Sequence, residues 1–111
     1  VLSKVGKHAE AAAAYAKAAE LAPEDAPIAM RYGTALLASG DAAKAETVLT
    51  KAAELDPEMQ YVYAELGDAL RAQEKLDEAL RTYMKAQALY KSDKKAHAGA
   101  ALVYEKQGKY E

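Results

Sequence analysis

The chain of 111 residues contains no cysteine, tryptophan, phenylalanine or asparagine. Without cysteine there is no disulfide, no thiolate metal site and no sulfur nucleophile. Three prolines and six glycines are too few for a sandwich of short strands joined by turns. No apolar run reaches the ~18 residues that a membrane-spanning helix needs, so membrane insertion is not expected. An excess of one charge is missing too: 15 basic and 17 acidic side chains are interspersed, for a net charge of −2. No basic stripe therefore offers itself to nucleic acid. No glycine-rich phosphate loop is present, and no cofactor is expected. No signal-peptide pattern is visible, and the lack of cysteine does not separate cytoplasm from periplasm, so both are compatible with the sequence.

What the chain does have is alanine, the best helix former. Hydrophobic residues reach 51%, enough to build a core and to argue against disorder. All eight aromatic residues are tyrosine. The composition points to an all-α domain with closely packed helices.

The residues repeat at a spacing of 34. Pro23 and Pro57 are one such step apart, as are Gly6 and Gly40, and Gly108 continues the glycine series after Glu74 interrupts it. Ala11, Ala45 and Ala79 share the step, as do Ala18, Ala52 and Ala86, and Leu21, Leu55 and Leu89. Gly33 and Gly67 form a further column that Ala101 continues. A fixed period of this length signals a solenoid of helix pairs. Each column has a physical reading. Gly33, Gly67 and Ala101 lie on the first helix of a pair, where a small residue lets the second helix come close. Ala11, Ala45 and Ala79 are the small residues facing them. Tyr15, Leu49 and Tyr83 fill the space between neighbours. Gly6, Gly40 and Gly108 permit the positive φ that ends a helix. Pro23 and Pro57 stop the second helix.

These positions resemble the tetratricopeptide repeat. Tyr63, Leu66, Gly67, Leu70, Ala79, Tyr83 and Ala86 match its aromatic, Leu-Gly, apolar, Ala, aromatic and Ala positions. Ala29 and His97 depart from the large aromatic, Glu74 from the turn glycine and Lys91 from the closing proline. The resemblance covers the whole chain and implies a right-handed superhelical solenoid of antiparallel helix pairs. On this reading residues 1–25 are a partial repeat, mainly its second helix, 26–59 and 60–93 are full repeats, and 94–111 are mainly a first helix. Helices are predicted at 8–21, 26–38, 42–55, 60–73, 76–90 and 94–106. Residues 1–5 would end an earlier first helix, and a further second helix would begin at Tyr110 and Glu111.

The resemblance also implies a concave groove lined by first helices. Carried over, its residues are Met30, Arg31, Thr34 and Leu37, then Tyr61, Ala64, Glu65, Asp68 and Arg71, then Lys95, Ala98 and Leu102. Positions 61, 64, 65, 68 and 71 recur every three to four residues, as one helical stripe must. Ala64, Ala98 and Gly99 would leave room for ligand side chains, and Arg31, Arg71 and Lys95 would pair with acidic groups. The plainer reading is that these are ordinary solvated charges. Some members of the family grip the carboxylates of chaperone tails with Lys and Asn clamps. Met30, Thr34, Glu65, Ala98 and Leu102 stand at or near the clamp positions here. None is basic and Glu65 would repel a carboxylate, so that clamp is not expected.

Nothing in the sequence carries catalysis. Glu65 and Asp68 share a helix face but lack a third ligand, and Arg71 one turn on is expected to pair with Asp68. His8 and His97 are placed far apart, and Ser3, Ser39 and Ser92 fall at helix ends or turns. The expected role is a protein-interaction scaffold for a protein or peptide partner. Two alternatives remain: a head-to-tail homo-oligomer joined through uncapped ends, and a regulatory or presenting region of a larger enzyme. Reversing Arg71 and Lys95 to Glu is expected to weaken partner capture with little loss of thermal stability.

Overall fold

The computed structural model describes residues 4–108. Six helices run in chain order: α1 (Lys4–Leu21), α2 (Ala26–Ala38), α3 (Ala42–Leu55), α4 (Val62–Ala72), α5 (Leu76–Leu89) and α6 (Lys94–Lys106). Each packs on its sequence neighbours, and the first helices α2, α4 and α6 also touch one another in succession.

The glycine columns explain the close pairing. A Cβ on Gly33 would lie 2.6 Å from Leu49 Cδ2, and one on Gly67 would lie 2.6 Å from Tyr83 Cε1. Both distances are far inside van der Waals contact, so only glycine lets those side chains lie flat on the first helix. Leu49 and Tyr83 are fully buried as a result, with Ala45, Ala52 and Ala79 beside them.

Capping decides where first helices begin. Asp25 and Asp93 accept from the backbone N–H of Ile28 and Ala96 at 3.1 and 3.2 Å, and α2 and α6 start one residue later. The same column in the middle repeat holds Met59, which has no oxygen to offer. There the chain makes an extra turn: Val62 N–H donates to the Met59 carbonyl at 3.4 Å, with Tyr61 at φ 75°. Hence α4 opens at Val62 instead of the predicted residue 60, and it closes at Ala72.

The turn column behaves unevenly. Gly40 (φ 97°) and Gly108 (φ 74°) adopt the left-handed conformation, and Glu74, at φ 65°, adopts it without being glycine. A side chain in that region costs about 1–2 kcal/mol. The Lys106–Glu74 ion pair at 2.8 Å joins two exposed side chains and returns only about 0–1 kcal/mol. Glu74→Gly should therefore raise the unfolding free energy by about 0.5–1 kcal/mol, read as a higher urea midpoint; an unchanged or lower midpoint would contradict this account.

Gly6 is the correction in the same column. It lies inside α1, so the expected break before residue 8 does not occur. Glycine permits a turn without compelling one, and holding it within a helix costs about 0.5–1 kcal/mol relative to alanine. The rest of the expected 1–5 segment, at residues 1–3, and the expected helix at Tyr110 and Glu111 lie outside the described residues. α5 ends at Leu89, one residue short of the prediction, with Tyr90 as its cap and Lys91 beyond it. In place of a proline, the Tyr90 hydroxyl donates to the Glu58 carbonyl in the preceding inter-repeat turn.

Polar links between successive pairs join residues about one repeat apart. Gln73 Nε2 donates to Glu46 Oε1 at 2.8 Å, Lys75 Nζ reaches the same oxygen at 3.0 Å, and Gln107 Nε2 donates to Asp77 Oδ1 at 2.9 Å. The Lys75 ammonium is the main reason the Glu46 carboxyl sits below its ordinary pKa. Its contribution is present above the unfolded pKa and is lost as pH falls through the folded value.

Candidate functional site

A cleft of about 840 Å³ opens where the first helices meet α1. Helix α2 supplies Met30, Arg31 and Thr34, which share one face, with Ala35 and Ala38 beyond. The extra turn before α4 contributes Gln60 and Tyr61, and α4 contributes Glu65. The start of α6 brings Ser92, Asp93, Lys94 and Lys95, and α1 closes the far side with His8, Ala11 and Tyr15.

The floor is ionic and buried. Glu65 is 6% exposed, and its Oε2 is paired with the Lys95 ammonium. Thr34 Oγ1 donates to the Met30 carbonyl at 3.0 Å and lies 3.5 Å from Glu65 Oε1. Burial alone would lower the Lys95 pKa. The Glu65 hydrogen bond, with the charges of Glu65, Asp68 and Asp93, more than offsets this and leaves it raised. Asp93 is 4% exposed; its Oδ1 caps α6, while its Oδ2 is buried with no partner among the described residues. Arg31 and Lys94 are exposed, and their side chains have no partner among the described residues.

Tyr61 is the most unusual residue of the site. It is 48% exposed, caps α4 without a side-chain hydrogen bond and holds a left-handed backbone. It occupies the third position of its turn, where positive φ normally calls for glycine. Tyr61→Gly should therefore raise the unfolding free energy by about 1 kcal/mol while removing the aromatic surface from the cleft. A urea titration alongside a binding measurement would show stability and affinity moving in opposite directions. Both falling together would place Tyr61 among the folding contacts.

The expected groove residues divide. Met30, Arg31, Thr34, Tyr61, Glu65 and Lys95 line the cleft. Arg71 and Leu102 line a separate hollow of about 360 Å³ with Ala72, Glu74, Glu105 and Lys106. Ala98 is exposed but borders neither. Ala64 is fully buried in the core, so it leaves no room for a ligand. Leu37 packs on the core beneath α2. Gly99 does not open a space either, because a Cβ there would lie 2.6 Å from the Tyr83 hydroxyl oxygen. Asp68 accepts from the Tyr83 hydroxyl and sits 3.4 Å from Arg71 Nη2, as the expected pairing requires, while Arg71 Nε donates to the Tyr83 oxygen at 3.1 Å. Arg71 and Lys95 are thus both tied to acids that are mostly buried. Reversing them would put carboxylate against carboxylate and destabilise the fold, contrary to the sequence-based expectation.

Sequence reasoning missed the α1 wall and the Ser92–Lys94 corner. Ala11 and Tyr15 were read as packing residues, yet both are only half-buried, whereas their counterparts Ala45, Ala79, Leu49 and Tyr83 are fully buried. Among the described residues no helix precedes α1 to cover them. The Asp25, Met59 and Asp93 column was the signal for the corner. Among the described residues no group of three or more potential metal ligands converges, and no helix is long and apolar enough to cross a membrane.

A family model described as Tetratricopeptide repeat matches residues 2–66 and again residues 36–103. The chain belongs to the tetratricopeptide-repeat family. Its all-α, superhelical array of helix pairs is the tetratricopeptide solenoid, and membership brings the family's general role as a scaffold for protein interaction. Similar solved structures include the first tetratricopeptide domain of Spaghetti (RPAP3) bound to the HSP90 peptide SRMEEVD, with a TM-score of 0.86 and 24% identity over 95% of this chain and 83% of that one. The second tetratricopeptide domain of human RPAP3, in complex with the HSP70 peptide SGPTIEEVD, has a TM-score of 0.83 at 24% identity, over 90% of this chain and 83% of that one. At that identity the likeness shows the fold alone. MamA from MSR-1 is 26% identical with a TM-score of 0.80, over 96% of this chain and 61% of that one. No curated protein matches the chain.

Proposed function

We propose that this tetratricopeptide array, with residues 26–59 and 60–93 as its whole repeats, holds a segment of a partner protein in the cleft between α1, α2, α4 and α6. The observation that carries the reading is the cleft itself: about 840 Å³, with an exposed tyrosine, a methionine and unpaired cations around a buried ionic floor. Exposed aromatic and Arg side chains are the usual anchors of protein interfaces. The Spaghetti and human RPAP3 domains hold chaperone peptides. Here Glu65 stands at an expected clamp position and is buried against Lys95, which speaks against a tail held by its terminal carboxylate. Tyr61 makes a suitable probe because its side chain has no structural partner among the described residues. Tyr61→Gly should weaken specific capture of a partner severalfold or more while the helical circular dichroism persists. Equal capture by the variant would move binding off this surface.

A second reading, self-association, is favoured by one contrast. Gly33, Gly67, Leu36 and Leu70 are buried under second helices, whereas Ala101 and Tyr104 in the same columns of α6 are exposed. That face would suit the half-covered Ala11 and Tyr15 face of another copy. Such a contact is heterologous and grows with concentration. Sedimentation should show mass rising with concentration and falling back in Ala101→Glu; a concentration-independent monomer removes this reading.

A further inference from the structure

We propose that the floor of the cleft is a receptor for one cationic side chain, an Arg or Lys of the partner segment, seated against the Glu65 and Asp93 carboxylates. This rests on the cleft being the docking surface and names what that surface reads.

The first support is Asp93. It lines the cleft and is almost fully buried; one carboxylate oxygen is spent on the α6 cap, and the other, enclosed, has no partner among the described residues. Buried polar atoms are nearly always hydrogen-bonded, and leaving one unmade is costly. A donor that enters from the cleft and displaces the side chains enclosing it would satisfy it. The second support is the local charge. Three carboxylates, Glu65, Asp68 and Asp93, act on the single ammonium of Lys95. Arg71 pairs with one of them and Lys95 with a second, which leaves the Asp93 charge facing the α6 N-terminus that it caps, with no cationic side chain paired to it among the described residues. Arg31 and Lys94 do not cancel it. They are exposed, and salt screens exposed charges far more than buried ones.

Lys95 is the movable part. Its side chain is 52% exposed and long enough to withdraw into water. A guanidinium taking its place would bring five donors in a planar fork that suits two carboxylates. Arg should therefore be preferred over Lys. The cation supplied by the partner replaces the cation supplied by the chain.

The test uses three acetylated, amidated peptides of Leu and Ser that differ only at a central residue: Arg, its neutral isostere citrulline, or Glu. Binding is followed by titration calorimetry and by the amide resonances of Thr34 and Tyr61. The Arg peptide should bind about tenfold or more tighter than the citrulline peptide. Asp93→Asn keeps an N-cap acceptor, so the melting temperature should hold while the Arg preference collapses. Lys95→Met removes the competing ammonium and should strengthen the Arg peptide several-fold. Three results would overturn the proposal: preference for the Glu peptide, weaker Arg binding in Lys95→Met, or an Arg preference indifferent to Asp93→Asn. Any of these, with the Thr34 and Tyr61 resonances still shifting, leaves the cleft as the docking surface. If no peptide shifts them, the cleft reading falls as well.

Discussion

Tyr83→Ala should lower the unfolding free energy by about 4 kcal/mol, the upper part of the range for deleting a buried aromatic ring. Tyr83 is the largest fully buried side chain among the described residues. Its ring lies against Gly67 of α4 and Gly99 of α6, so one side chain from α5 joins two first helices. Truncation leaves a cavity that helical backbones cannot close. Polar contacts go with it, because the hydroxyl donates to Asp68 and accepts from Arg71 Nε. Burial chiefly, and then the hydrogen bond to Asp68, hold the phenol well above its ordinary pKa, so it stays protonated as a donor throughout the physiological range. Tyr83→Phe separates the two contributions. It keeps the ring and should cost only about 1–2 kcal/mol for the lost hydrogen bonds. Urea unfolding followed by circular dichroism measures both. Equal losses for Phe and Ala would mean that the hydroxyl, and not the ring, carries the stability.

Gly67→Leu attacks the same contact from the other side. Even a bare Cβ would sit 2.6 Å from the Tyr83 ring, and that ring is fully buried. Overpacking of this kind costs about 3 kcal/mol, on the order of 10 °C or more in melting temperature for a domain of this size. The two substitutions should not add. Leucine at position 67 fills part of the space left by Tyr83→Ala, so the double variant should be more stable than the sum of the single effects implies, by about 1 kcal/mol or more. Strict additivity would show that the two residues do not meet as described. Unchanged melting of Gly67→Leu alone would remove the basis of the helix pairing.

Much of this was legible in the chain. The Gly33 and Gly67 column, read with Leu49 and Tyr83, identified which faces meet, because close approach demands a missing side chain at a fixed interval. α2, α3 and α6 span the residues that the pattern gave them, and their starts are set locally, since Asp25, Asp41 and Asp93 cap their N-termini. α4 began late because Met59 cannot cap, a local signal that was present but unread. Gly6 misled for the opposite reason: a residue that tolerates a turn looks identical in sequence whether or not the turn is made.

The site was less legible. Spacing along a helix puts Ala64 and Glu65 on adjacent strips of one face, about 100° apart, and cannot say which of them a neighbouring helix covers. The crossing of α4 by its neighbours buried both and left only Glu65 at the cleft. Lys95 meets Glu65 across 30 residues, a pairing set by how α6 lies on α4.

By itself, then, the sequence determined the period, the helices and the small-residue seams, because these follow from backbone sterics and local hydrogen bonds. The tertiary structure alone decided which charges face the cleft, which are tied off and that Asp93 keeps an oxygen unpartnered. Those outcomes depend on the angles and offsets at which separate helices cross, and no local interaction encodes them.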